Sequence, residues 1–213
     1  MNKFLNFNRV LCLSPHPDDV EYGMLGSMIK FQDTNFELLC MTTGGKFDET
    51  VREFDRLDEV RKLWSQSGST NFRLHFSNCE FIADKNEDEW INYIENLFIA
   101  NDRYDAILLP SDLDSHFEHR LVSKFGYALS RSSPISIVEY ATPSALQGWI
   151  PNFFVEIHDV LDKKQDLLKA MESQSKKMYF DPATIDGFHV DFKCMKRKLK
   201  KVEKFRIVDL YYF

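Results

Sequence analysis

This chain predicts an α/β fold, with a mostly parallel central sheet and helices on both faces. Short apolar runs alternate with longer segments of helical period, which is the rhythm of βαβ units. The runs Val10-Leu11-Cys12-Leu13 and Ala106-Ile107-Leu108-Leu109 are apolar throughout, as strands covered on both faces must be. With 213 residues the chain is long enough to bury a sizeable core and fits one domain, 1–213.

Taken in order, the runs place strands at 9–13, 36–42, 72–76, 104–109, 136–140 and 153–157, the last as an edge. Apolar spacing, with Gly, Pro, Asn and Ser at the borders, places helices at 23–31, 51–66, 87–100, 117–130 and 160–174. The first continues through Met24 and Ile29, and the fourth through Leu121, Val122 and Phe125. After Asp191 the composition turns Lys-rich, and the run Lys193 to Lys201 reads as a solvated face.

A net charge of −6 argues against a nucleic-acid partner, because such proteins present a basic face to phosphates. No apolar stretch reaches the roughly 20 residues of a membrane span. The N-terminus lacks a signal peptide's apolar segment, so the expected location is the cytoplasm. Cys12 and Cys40 sit in strand-like runs, Cys79 and Cys194 lie far from them, and no CxxC spacing occurs. Reduced, mostly buried thiols are therefore expected. The sequence leaves homo-oligomerisation open.

Two clusters carry the chemistry. Ser14-Pro15-His16-Pro17-Asp18-Asp19-Val20-Glu21 follows the first strand, and Asp112-Leu113-Asp114-Ser115-His116-Phe117-Glu118-His119 follows the strand ending Leu109-Pro110. In open α/β sheets such positions, where strands end and loops enter helices, collect ligands. Adjacent strands would join the two clusters into one site. The turn Thr42-Thr43-Gly44-Gly45 could line the same edge, but it matches no nucleotide-loop spacing.

Imidazole and carboxylate suit zinc, and a catalytic zinc keeps three protein ligands and one open position. His16, Asp19 and His119 would supply the three. Asp18, next to Asp19, is the natural base for a metal-activated water. Helix capping competes with this reading: Asp18 with Glu21, and Ser115 with Glu118, both have capping-box spacing. Capping does not explain His16 between two prolines, nor the second acid at Asp19. His116 and His119, three apart, share one face at a helix start.

These residues resemble the LmbE-like, or PIG-L, family of zinc-dependent N-deacetylases. His16-Pro17-Asp18-Asp19 is similar to its HPDD turn, and His116-Phe117-Glu118-His119 to its HxDH motif with Glu for Asp. Arg56-Leu57-Asp58-Glu59 is similar to the family's RxxE helix, and Trp149 to Ile157 to its Pro-Asn-strand segment. Lys164 and Ser173-Gln174 are similar to the helix that follows. The likeness fades after Gln174.

The resemblance implies a Rossmann-like three-layer sandwich that removes acetyl from an N-acetylated amino sugar, small or nucleotide-linked. It implies zinc on His16, Asp19 and His119, Asp18 as base, and His116 as acid or oxyanion-stabilising group. Glu118 would orient His116, and Arg56 would contact substrate. Iron, cobalt or manganese would also suit such ligands. Glu118 is one methylene longer than the usual aspartate, and Lys46 stands where the family often has an acid. The alternatives are an amidohydrolase for another acyl group or a non-sugar amide, and a non-catalytic carbohydrate- or metal-binding protein. Retention of Asp18 argues against the last, because a binding module needs no base beside its metal. Phe47, Tyr140 and Trp149 read as packing residues rather than sugar platforms.

Overall fold

The structure is a computed structural model that describes residues 2–44, 55–99, 104–132, 134–191 and 200–211. Its centre is one sheet. Strand β1 (Arg9–Ser14) is followed by helix α1 (Asp19–Lys30), strand β2 (Asn35–Cys40), helix α2 (Arg56–Gln66) and strand β3 (Phe72–Phe76). Helix α3 (Glu87–Ile94) then runs into a π-helical turn, Glu95–Ile99, before strand β4 (Ala106–Pro110), helix α4 (Phe117–Leu129) and strand β5 (Ser136–Tyr140). The chain continues through strand β6 (Phe153–Glu156), helix α5 (Leu161–Leu168), helix α6 (Pro182–Phe188) and strands β7 (Val190–Asp191) and β8 (Lys200–Asp209).

The strand order is β3-β2-β1-β4-β5-β8-β6, with β7 paired to β8 off this path. The first five strands are parallel, and β8 runs antiparallel to both neighbours. The order reverses between β1 and β4, which makes their C-terminal ends the topological switch point. Strand β6 lies at the sheet edge as expected.

Alternation explains why β1 and β4 are apolar throughout. Val10, Cys12, Ala106 and Leu108 enter the core beneath α1, α2 and α5, whereas Leu11, Leu13, Ile107 and Leu109 enter the core beneath α3 and α4. Both faces of the sheet are therefore covered by helices. Cys12, Cys40 and Cys79 are buried free thiols, and Cys194 lies outside the described residues.

Strands β3 and β5 match the expected 72–76 and 136–140, and the other expected strands differ only at their ends. Residues 51–54 and 100 of two expected helices lie outside the described residues, as does most of the run Lys193 to Lys201. The expected helix 160–174 divides instead into α5 and a 3-10 turn, Glu172–Gln174.

The charged tail is the main correction. Part of it is strand β8, inserted between β5 and β6 with Phe205 fully buried opposite Tyr140 and Phe153. Its Glu203 pairs with Lys164 of α5, and both side chains are 0% exposed. Such a pair is the condition under which a charged strand residue can be buried. Among the described residues no helix is long and apolar enough to cross a membrane.

Candidate metal centre

Both clusters reach the switch point. His16 and Asp18 lie between β1 and α1, Asp19 opens α1, and the second cluster fills the connection from β4 into α4. Neither capping box forms. Asp18 is the N-cap of α1 but its side chain makes no cap bond, and Glu21 instead accepts from the Trp64 indole at 2.7 Å. His116, not Ser115, is the N-cap of α4, and Ser115 turns to the Ser144 carbonyl.

The Asp19 carboxylate lies between two imidazoles, its Oδ2 3.1 Å from His16 Nδ1 and its Oδ1 3.3 Å from His119 Nε2. Those two nitrogens are 3.3 Å apart. A tetrahedral centre with bonds of about 2.0–2.1 Å to nitrogen or oxygen separates its ligand atoms by about 3.3–3.4 Å. The two imidazole nitrogens have that spacing, and each has an oxygen of the Asp19 carboxylate at a similar distance, so the donor set fits a divalent metal. His16, His116 and His119 also form a group able to hold a metal, with one nitrogen from each within 4.8 Å of the others.

The outer nitrogens are fixed too. Glu118 Oε2 is 2.7 Å from His16 Nε2 and its Oε1 accepts from the Ile82 amide at 2.8 Å. The expected pairing of Glu118 with His116 is thus replaced by one with His16, which the longer side chain reaches. His119 Nδ1 meets the buried carboxylate of Asp114 at 2.9 Å. Carboxylates in these positions set the tautomer and raise the basicity of metal-binding imidazoles.

Electrostatics follow from this surround. Burial opposes charge on His16, but its bonds to Asp19 and Glu118 outweigh it and push the pKa up to about 9. His119, likewise disfavoured by burial, is carried up to about 10 by Asp19 and Asp114. Burial acts against the Asp19 carboxylate, yet the two imidazoles hold it well below the usual range. His116 is half-buried, and burial together with the charges of His16 and His119 holds its pKa below the ordinary value.

Asp18 does not join the ligand cluster; its Oδ1 is 3.1 Å from Arg56 Nη2. Arg56 opens α2 and also donates from Nη1 to the Gly44 carbonyl at 2.8 Å. Gly44 has φ +89°, and a Cβ there would overlap the guanidinium, so glycine serves both the turn and the close approach. His16, Asp18, Asp19, Arg56, His116, Glu118 and His119 all line one cleft of about 290 Å³. Gly45, Lys46 and Phe47 lie outside the described residues. Tyr140 and Trp149 are buried, one bonded to the Leu13 carbonyl and the other to Glu139, as packing residues.

Residues 11–130 match the family model described as PIG-L: GlcNAc-PI de-N-acetylase, which is more than half of the chain. The chain belongs to the PIG-L family. Its family places it among N-deacetylase hydrolases, which cleave amide C–N bonds. A diacetylchitobiose deacetylase of Thermococcus kodakarensis is 24% identical over 195 residues, covering 80% of this chain and 72% of that protein. The structure of the N,N'-diacetylchitobiose deacetylase of Pyrococcus horikoshii superposes with a TM-score of 0.77 at 22% identity, covering 98% of this chain and 86% of that one. A 4-carboxy-2-hydroxymuconate hydratase, GalB of Pseudomonas putida, shares the fold with a TM-score of 0.70 at 12% identity, covering 97% of this chain and 98% of that one.

Several contributors to this PIG-L site escaped the sequence reading. Asp114 stands in the second cluster, but only the folded loop shows that it meets His119. Lys177 and Tyr179 line the cleft from beyond the recognised motifs, and nothing in their local sequence pointed there.

Proposed function

We propose that this PIG-L protein is a zinc-dependent deacetylase of an N-acetylated amino sugar of the N-acetylglucosamine type, small or nucleotide-linked. The observation that carries the reading is the meeting of the His16 and His119 ring nitrogens, 3.3 Å apart, with one Asp19 carboxylate whose two oxygens lie 3.1 and 3.3 Å from them, and with Asp18 on the same cleft. In this reading His16, Asp19 and His119 hold the metal, which would supply Lewis-acid polarisation and a more acidic water.

Asp18, held by Arg56 and outside the ligand set, takes the proton of the attacking water. As the C–O bond forms, His116 faces the carbonyl oxygen and donates to its developing charge. The C–N bond then breaks, and the proton held on Asp18 passes to the leaving nitrogen, giving acetate and a free amine. Glu118 and Asp114 keep the two histidines in register. Arg56 acts on substrate from the same wall, and on Asp18 through their ion pair.

Elemental analysis of the untagged chain beside His119→Ala, followed by acetate release from a panel of N-acetyl sugars, tests the proposal. About one metal per chain is expected, lost in the variant, with acetate formed only by the loaded protein. No bound metal after reconstitution would overturn it. Metal without acetate, but with release of another acyl group, would move the chain to the broader amidohydrolase reading.

A further inference from the structure

The wall of the cleft facing α2 is built by residues outside the segment that matches the PIG-L model. The stretch after α5 is pinned there. Ser173 donates from its amide and hydroxyl to Glu59 of α2 at 2.7 and 2.6 Å, and the Tyr22 hydroxyl donates to the Tyr179 carbonyl at 2.9 Å. The rings of Tyr22 and Tyr179 meet edge to face at 5.8 Å. Lys177 and Tyr179 are therefore presented to the cleft by a fixed segment.

The two cations of the cleft differ. Arg56 is occupied by Asp18 and the Gly44 carbonyl. The Lys177 ammonium stands 5.5 Å from the centre of the Tyr179 ring and, among the described residues, has no hydrogen-bonded acceptor or ion-pair partner. Three carboxylates, Asp18, Asp19 and Glu118, face these two cations. Among the described residues Lys177 is therefore the cation of this cleft left to meet a ligand's charge.

Resting on the deacetylase reading, we propose that Lys177, backed by Tyr179, is a specificity-determining residue that selects substrates bearing an anionic group, phosphate or carboxylate, beside the N-acetyl sugar. A lysine ammonium suits this task because it meets phosphate as a compact point charge with three donors. The Tyr179 ring offers an apolar face to the sugar carbons next to it.

The test compares the metal-loaded full chain with Lys177→Gln and Lys177→Arg on matched substrates. These are N-acetylglucosamine, its 1- and 6-phosphates, a uridine-diphosphate conjugate, and N-acetylglucosaminuronic acid. In Lys177→Gln the ratio of kcat/KM for anionic over neutral substrate is expected to fall about tenfold, mainly through KM. Lys177→Arg should restore most of it. Response to the phosphates alone, or also to the uronic acid, identifies which anion is read. Equal losses on both classes, or an unchanged ratio, would overturn the proposal.

Calorimetric binding of glucosamine 6-phosphate against glucosamine separates this from the parent reading. If no acetyl sugar is turned over, the deacetylase reading fails. A binding preference for the phosphate that disappears in Lys177→Gln would still support the anion site, and equal binding of the pair would reject it.

Discussion

Helix α1 touches two buried charge clusters with opposite characters. At its start, Asp18 and Asp19 meet Arg56, His16 and His119 on the floor of an open cleft. Farther along, the Tyr22 carbonyl accepts a hydrogen bond from Lys164, and the Gly26 and Ser27 amides donate to Glu203 at 2.7 and 2.6 Å. Lys164 and Glu203 thus add side-chain bonds to the Tyr22 carbonyl and to the Gly26 and Ser27 amides within α1.

The second cluster is closed on itself. Lys164 donates to Tyr22, lies 3.0 Å from His189 Nε2, and is ion-paired to Glu203 at 2.7 Å. Burial lowers its pKa, against the pull of Glu203. The first cluster brings two imidazole nitrogens and a carboxylate together and opens onto solvent. Burial and charge are common to both, so they do not distinguish chemistry from scaffold. Convergence of metal-type donors beside an accessible cleft does.

Four experiments would break or sharpen that contrast. The largest effect should come from Asp18→Asn, which removes the proposed base and leaves the ligands. A loss of about 10²–10⁴ in kcat is expected, with metal content retained. Metal loss in that variant would mean that Asp18 belongs to the ligand set.

In the closed cluster the effect should fall on stability instead. Glu203→Ala leaves Lys164 buried without its partner and should cost about 3–5 kcal/mol in urea unfolding. Joint replacement, Lys164→Met with Glu203→Leu, removes the stranded charge but also the bonds to the Tyr22 carbonyl and the Gly26 and Ser27 amides, so it should recover only part of the loss. A single variant that kept its stability but lost metal would dissolve the division between the clusters.

A smaller change is expected from Asp114→Asn, which keeps a hydrogen bond to His119 but removes the charge. Metal affinity should fall about 10–100-fold in competition with a chelator. An unchanged affinity would show that Asp114 only braces its loop.

The smallest effect is a proton count. In the metal-free chain His16 and His119 titrate at about 9 and 10, above the ordinary 6.5. The stability gained from their charged forms is therefore fully present below pH 6.5 and lost as pH rises through 9 and 10. Metal needs neutral imidazoles, so uptake at pH 7 should release about two protons, and affinity should rise with pH up to that range. Calorimetry in buffers of different ionisation heat measures the release. None at pH 7 would show that the imidazoles are already neutral.

The two clusters also differ in how readily they could be read from residues. The site was legible because each half sits in a short contiguous motif after an apolar strand, and adjacent parallel strands bring such strand ends together. The closed cluster draws Lys164, His189 and Glu203 from three distant segments. Strand β8 was hidden for the same reason. Lys200, Lys201, Glu203 and Lys204 look like a solvated tail until the partners of Glu203 are in place.

By itself the sequence determined the parallel half of the sheet, the covering helices and the two clusters at the switch point, because periodicity and motif spacing are local properties of the chain. Tertiary structure alone decided that β8 enters the sheet, that Glu118 serves His16 while Asp114 serves His119, and that Lys177 and Tyr179 wall the cleft. These choices depend on which distant groups meet, and burial makes each unpaired charge too costly to leave without a partner.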